Sequence, residues 1–264
     1  MTNKNNKTKN YTYQKISIIL LIIIMISFSF VVAQLFENTK DVTMITNSGL
    51  RFLGGSVFVI ILFSFNYASL FKSKHLRKSL LIIIPALIIS VNNFPIIAFF
   101  DGRALLTEPV YRVYLFFIEC LSIGFFEEIL FRGIILVLLL KKLADKKNGV
   151  LLAIIFSSAI FGLSHVFNLY SGASIDDTLL QVGYSFLVGM MWAVIFLKTG
   201  NLWLTMLLHA TYNFFGQVMF YLGSVDGRYD IYTIVITIML AVIIAFYSVF
   251  LFRKLDYKTL IKLQ

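Results

Sequence analysis

Eight apolar runs separated by short polar loops account for nearly all of this chain. They lie at Ile16 to Phe36, 50–71, 79–100, 111–140, 150–167, 178–197, 201–221 and 231–252. Each approaches the ~20 residues that an α-helix needs to cross a hydrocarbon core, and the fourth is long enough to tilt or project. The pattern predicts an all-α fold: a polytopic membrane helix bundle of about eight transmembrane helices. Pro85 and Pro95 fall inside the third run and are expected to bend it. Asn92 and Asn93 are expected to satisfy backbone groups that Pro95 frees, in preference to lining a cavity.

Residues 1–14 are polar, with Lys4, Lys7 and Lys9 and no acid, and read as a short cytoplasmic tail. The run that follows exceeds the ~7–15 apolar residues of a signal peptide and precedes no clear small-residue cleavage site, so it is expected to be an uncleaved anchor. No repeat, low-complexity linker or soluble segment interrupts the pattern. Residues 1–264 are therefore expected to form a single membrane domain.

Composition agrees. The chain is 59% hydrophobic and 14% charged, against roughly 45–50% and 25% in soluble domains. Its net charge of +10 is no sign of nucleic acid, because the basic residues sit in loops and alternate between sides. One side holds Lys4, Lys7, Lys9, Lys15, Lys72, Lys74, Arg77, Lys78, Lys141, Lys142, Lys146, Lys147, Lys198, Arg253, Lys254, Lys258 and Lys262. The other holds only Lys40, Arg51, Arg103, Arg112 and Arg228. By the positive-inside rule this predicts a multi-pass protein of the cell membrane, both termini cytoplasmic, with the lipid bilayer as its surroundings. The single cysteine, Cys120, excludes an intrachain disulfide and a thiolate metal cluster.

Against this apolar background a few polar residues stand out. Glu127, Glu128 and Arg132 lie within the fourth run, where a charge at mid-bilayer costs at least ~2.5–3.5 kcal/mol. Glu128 and Arg132 are four apart and able to pair; Glu127 points about 100° away. A packing ion pair would explain the first two and leave Glu127 without a role. Phe161 and His165 share a helix face in the fifth run, as do His209 and Asn213 in the seventh. A lone membrane histidine is usually a helix–helix hydrogen bond. Polar groups on three spans are most cheaply satisfied in one shared intramembrane cavity.

Such residue types suit amide hydrolysis. A carboxylate beside a histidine can take a proton from water, and a second histidine with an amide can stabilise an oxyanion. Glu128 and Arg132 would support Glu127. Ser157, Ser158 and Ser164 lie near His165 but read as packing residues rather than a nucleophile. Glu119, two turns before Glu127, either extends the cavity or sits nearer the interface; Thr205 and Tyr212 either orient His209 or simply pack.

The segments Glu127-Glu128-x-x-x-Arg132, Phe161-x-x-x-His165 and His209-x-x-x-Asn213 resemble, in order, the three motifs of the CAAX-protease and bacteriocin-processing (CPBP, or Abi) intramembrane proteases, which include the type II CAAX prenyl endopeptidases. The resemblance covers roughly residues 110–220, the expected catalytic core, and does not reach the N-terminal third. It implies a helical bundle whose conical cavity encloses these residues, with Glu127 and His165 activating water and His209 and Asn213 forming the oxyanion hole. It implies peptide or membrane-protein substrates, with prenylated C-termini, peptide pheromones and bacteriocin leaders as candidates.

The expected activity is therefore intramembrane endopeptidase cleavage of a membrane-associated peptide or protein, without a cofactor. Zinc held by Glu127, His165 and His209 is the alternative, as a His₂Glu set with one open position. The spacing lacks H-E-x-x-H, and Asn213 reads better as an oxyanion donor. Two other classes compete: a non-enzymatic bacteriocin self-immunity or scaffold protein, and a proton-coupled carrier. The full residue set argues against the first; the lack of two similar halves argues against the second.

Overall fold

The computed structural model describes residues 39–73, 75–143, 145–227 and 231–255. The expected tail at 1–14 and the first apolar run lie outside the described residues.

Helix α1 (Lys40–Ser64) begins at Thr39, whose hydroxyl accepts from the Val42 N–H at 3.4 Å. Its buried residues Met44, Ser48, Gly55, Phe58 and Leu62 recur at helical spacing and form one stripe. The helix starts ten residues ahead of the predicted run, so Arg51 sits three turns inside it rather than at its edge. The third run is split into α2 (Leu76–Val91) and α3 (Ile96–Phe100). Pro85 is tolerated inside α2, whereas Pro95 opens α3, consistent with its missing N–H and its bias against helix at the preceding residue. Asn93 does not serve the backbone around Pro95 as expected: its amide donates to the Tyr212 carbonyl at 3.1 Å.

The fourth run is one helical column in three parts: α4 (Val110–Glu128), a π-helical stretch (Ile129–Leu136) and α5 (Val137–Leu143). The π stretch, with its i→i+5 bonds, was not foreseen; such segments recur at functional sites. The Ser157 hydroxyl donates to the Phe131 carbonyl within it at 3.0 Å. Helix α6 (Gly149–Ser164) continues as a 3-10 segment (His165–Ser171). Helix α7 (Ile175–Thr199) is capped by the Ser174 hydroxyl, which accepts from the Asp177 N–H at 3.1 Å. It stops at Gly200, whose φ of 66° favours glycine. Helices α8 (Leu202–Tyr221) and α9 (Ile231–Arg253) follow.

Among the described residues four helices are long and apolar enough to cross a membrane: α1, α6 with its extension to Tyr170, α7 and α9. The other expected spans among these residues fall short of that description. Helix α2 has 16 residues, α4 carries Arg112, Glu119, Glu127 and Glu128, and α8 carries His209, Asn213 and Gln217. Among the described residues the fold is helical except for turns, loops and one antiparallel strand pair, β1 (Ala104–Leu106) with β2 (Gly223–Val225), which the hydrophobic pattern did not predict.

Helix α4 packs between α1 and α8, α6 lies on α7, and α9 covers α7. The approach of α4 to α8 depends on Gly124, where a Cβ would lie 2.6 Å from the Met206 carbonyl oxygen. Lysine-rich loops gather at one end of the bundle. There Phe71 pairs with Asn201, the Asn201 amide donates to Ser73, Lys198 bonds the Lys254 carbonyl and Lys141 lies 4.8 Å over the Tyr67 ring. At the opposite end Lys40 pairs with Glu108 at 2.6 Å, and Arg112 holds both Asp41 and Glu108.

Candidate active site

Glu127 and Glu128 close α4, just before the π stretch. Glu128 is fully buried, and its Oε1 accepts from two sides: Arg132 Nη1 at 2.7 Å and His209 Nδ1 at 2.9 Å. The pairing expected between Glu128 and Arg132 is present. Arg132 also donates to the Gly189 carbonyl at 3.2 Å, and its guanidinium lies 4.5 Å over the Phe161 ring. Gly189 provides this room, since a Cβ there would meet Phe161 at 2.9 Å and Arg132 at 3.3 Å. A buried charge is tolerated only with such partners.

His209, buried on α8, is set between two carboxylates. With Glu128 accepting at Nδ1, the ring proton is fixed on that nitrogen and Nε2 is turned to Glu127 Oε2, 3.6 Å away. That separation is beyond a direct hydrogen bond. Trp192 lies flat on the imidazole, with centroids 4.3 Å apart and planes 26° from parallel, and Tyr212 meets Trp192 edge-on. The Thr205 hydroxyl donates to the Leu202 carbonyl at 2.9 Å.

His165 stands where α6 gives way to its 3-10 extension. Phe161 meets it edge-on at 5.2 Å and meets His209 at 5.7 Å, so this one ring packs against both histidines. Ser157 and Ser164 both donate to backbone carbonyls, as packing residues do.

All four expected catalytic residues, Glu127, His165, His209 and Asn213, line one cavity of about 500 Å³. From this floor it runs past Tyr184 and Gln217 to Asn47, Arg51, Glu119 and Tyr221, toward the end away from the lysine-rich loops. Glu119 belongs to the cavity wall, paired with Arg51 at 3.0 Å. The expected proximity is redistributed: Glu127 faces His209 more closely than the water-activating pair with His165 implied. Among the described residues no group of three His, Cys, Asp or Glu side chains is close enough together to hold a metal ion. Trp192, Gly189 and Arg51 escaped the sequence reading. Arg51 alone carried a signal, as an arginine at the start of an apolar run.

The described residues form a helical bundle with four helices apolar enough to cross a membrane and a buried carboxylate–histidine floor, which is the build of a membrane protein. Residues 109–215 match the family described as type II CAAX prenyl endopeptidase Rce1-like, and this segment is similar to that family. Glu127, Glu128, Arg132, Phe161, His165, His209 and Asn213 all fall inside the matched segment. No curated protein and no solved structure matches the chain.

Proposed function

We propose that this protein is an intramembrane endopeptidase that hydrolyses a peptide bond of a membrane-associated peptide or protein, with Glu127 as general base. The observation that carries the reading is the geometry of Glu127. Its Oε2 is buried, has no hydrogen-bond partner among the described residues, and faces His209 Nε2 across 3.6 Å on the cavity floor. A carboxylate so placed removes a proton from water as the water attacks the scissile carbonyl. Collapse of the tetrahedral intermediate returns that proton from Glu127 to the leaving amine, and the peptide bond is replaced by a carboxyl and an amine.

His209 stabilises the oxyanion in this scheme together with Asn213, one helical turn further along α8. Because Nδ1 already donates to Glu128, Nε2 can donate only from the imidazolium. That state balances the local charges: two carboxylates against Arg132 and the protonated ring. His165 completes the water site from the opposite wall. The reaction needs no metal in this reading.

The remaining expected spans complete a bundle of about eight, with the lysine-rich end in the cytoplasm. The cavity then opens to the other face. The deciding experiment is proteolysis of a peptide library by the detergent-solubilised protein and by Glu127→Ala, each with and without a zinc chelator. Cleavage lost in the variant and indifferent to chelator is the expected result. Loss with chelator identifies a metal enzyme. No cleavage by the wild type, with Glu127→Ala still supporting the cellular phenotype, replaces the protease reading with an immunity or scaffold role.

A further inference from the structure

A second cavity, of about 140 Å³, lies between α6, α7 and α9 and shares no lining residue with the one that holds Glu127. Ile154 of α6 and Val194 of α7, both buried, form its floor; Ala245 and Val249, one turn apart on α9 and exposed, form its rim. The one hydroxyl among its lining side chains, that of Ser248, donates to the Ile244 carbonyl at 2.7 Å. No lining side chain is left to hydrogen-bond an occupant, which must therefore be hydrocarbon where it lies in the groove. A helix with its side chains is ~10–12 Å across and too wide for this space, whereas an alkyl chain fits.

The groove runs toward the lysine-rich end of the bundle. Lys198 lies one turn beyond Val194, and Lys254 lies two residues beyond Phe252, which also lines the groove. The two meet directly, since Lys198 Nζ donates to the Lys254 carbonyl. Arg253 stands beside them, exposed, and the turn before α6 brings Lys146 and Lys147 to the same end. Against these five, Asp145 is the one acid among the described residues of the three helix ends. If the cations served only to fix topology, nothing would require an apolar groove to open among them.

We propose that this groove binds an anionic glycerophospholipid, with one acyl chain between α6, α7 and α9 and the phosphate among Lys198, Arg253 and Lys254. Basic pockets between membrane helices suit such headgroups, and the apolar slot selects the chain. Helix α9 is the least buried of the four helices apolar enough to cross a membrane, and it packs on α7 rather than on α6. A chain in the groove touches all three and ties α9 to α6. Met190 and Val194 belong to the same turns of α7 as Gly189, which accepts from Arg132, and Trp192, which stacks on His209. The lipid thus supports the helix behind the site from its outer side. The proposal does not depend on the protease reading.

Native mass spectrometry of the full chain in detergent tests this, with dioleoyl phosphatidylglycerol and dioleoyl phosphatidylcholine titrated separately. One phosphatidylglycerol is expected to bind about tenfold tighter or more than phosphatidylcholine, the scale of two basic residues at an anionic headgroup. It should also raise the thermal midpoint, as a ligand of the folded state does. The pair Arg253→Gln with Lys254→Gln, at exposed positions, should erase the preference and keep the lipid-free midpoint. Ala245→Phe fills the groove with a side chain and should abolish both the bound lipid and the rise. Val242→Phe, exposed on α9 outside the groove, is the control and should change neither. Equal binding of the two lipids, binding of neither, or a preference that survives the charge pair overturns the proposal. So does retention undiminished in Ala245→Phe, which puts the lipid elsewhere; where that variant fails to fold, Val249→Trp at the exposed rim repeats the test. A chain dimer that Ala245→Phe dissolves gives the groove to a second copy instead and overturns it too.

Discussion

Glu128 fixes the orientation of His209 through a single oxygen, which sits 2.9 Å from Nδ1 and is shared with Arg132. The residue expected to assist its neighbour Glu127 instead sets the tautomer of a histidine 81 positions away. Removing the carboxylate charge with Glu128→Gln leaves Arg132 buried without its counter-ion and loosens the imidazole. Stability is expected to fall by about 3–5 kcal/mol, as for other broken buried pairs. Turnover should fall about 10–100-fold besides, as when an orienting partner is lost. Arg132→Leu keeps the bond from His209 to Glu128 and should show the stability loss with the smaller effect on turnover. Thermal midpoints and kcat/KM of the two variants, side by side, check this.

Trp192 covers one face of the His209 ring. An aromatic stack of this kind is worth ~0.5–1.5 kcal/mol beyond area burial. Trp192→Phe retains a flat partner and should keep most activity. Trp192→Leu should lower kcat/KM by about tenfold, with KM nearly constant. A loss confined to KM would mean that Trp192 contacts substrate rather than holding the histidine.

Gly124 sets the distance between the helix bearing Glu127 and the helix bearing His209. Gly124→Ala forces a methyl against the Met206 carbonyl, and overpacking of this sort costs typically ~1–3 kcal/mol. A lower thermal midpoint should come with a loss of activity at temperatures where the variant is still folded. Gly183→Ala, where a Cβ meets nothing within 4 Å, is the control and should change neither.

Glu108 lies outside the membrane-crossing helices, and the hydrogen bonds from Lys40 and then Arg112 hold its carboxyl below the usual value of 4.5. A carboxylate depressed in the folded state contributes stability that is present above the unfolded value and is lost as pH falls through the folded one. The thermal midpoint should therefore drop as pH is lowered beneath about 4.5, and Glu108→Gln should flatten that part of the curve. An unchanged slope would show that the cluster of Lys40, Asp41, Glu108 and Arg112 is neutral for folding.

The apolar runs revealed the helices because each buried or lipid-facing stripe must repeat at helical spacing. The three motifs revealed the floor of the site because charged residues within such runs are costly enough to be conspicuous. Trp192 was silent, since an aromatic residue in an apolar helix is ordinary and its stacking on His209 depends on how α7 meets α8. Arg51 was visible but misplaced, because polar residues Asn47 and Ser48 hid the first turns of α1. Asn93 and the short strand pair were beyond reach for another reason: each is defined by a contact more than a hundred residues away.

The π-helical stretch between Glu128 and Val137 has a consequence for how this chain can change length. Each i→i+5 bond encloses one residue more than an α-helical turn, so the column absorbs a residue there without passing its full rotation of about 100° onward. The carboxylate end and the lysine end of one helix thereby keep independent rotational settings. An insertion or deletion within α4 would turn Glu127 away from the cavity, whereas a one-residue change within 129–136 can be taken up where it occurs.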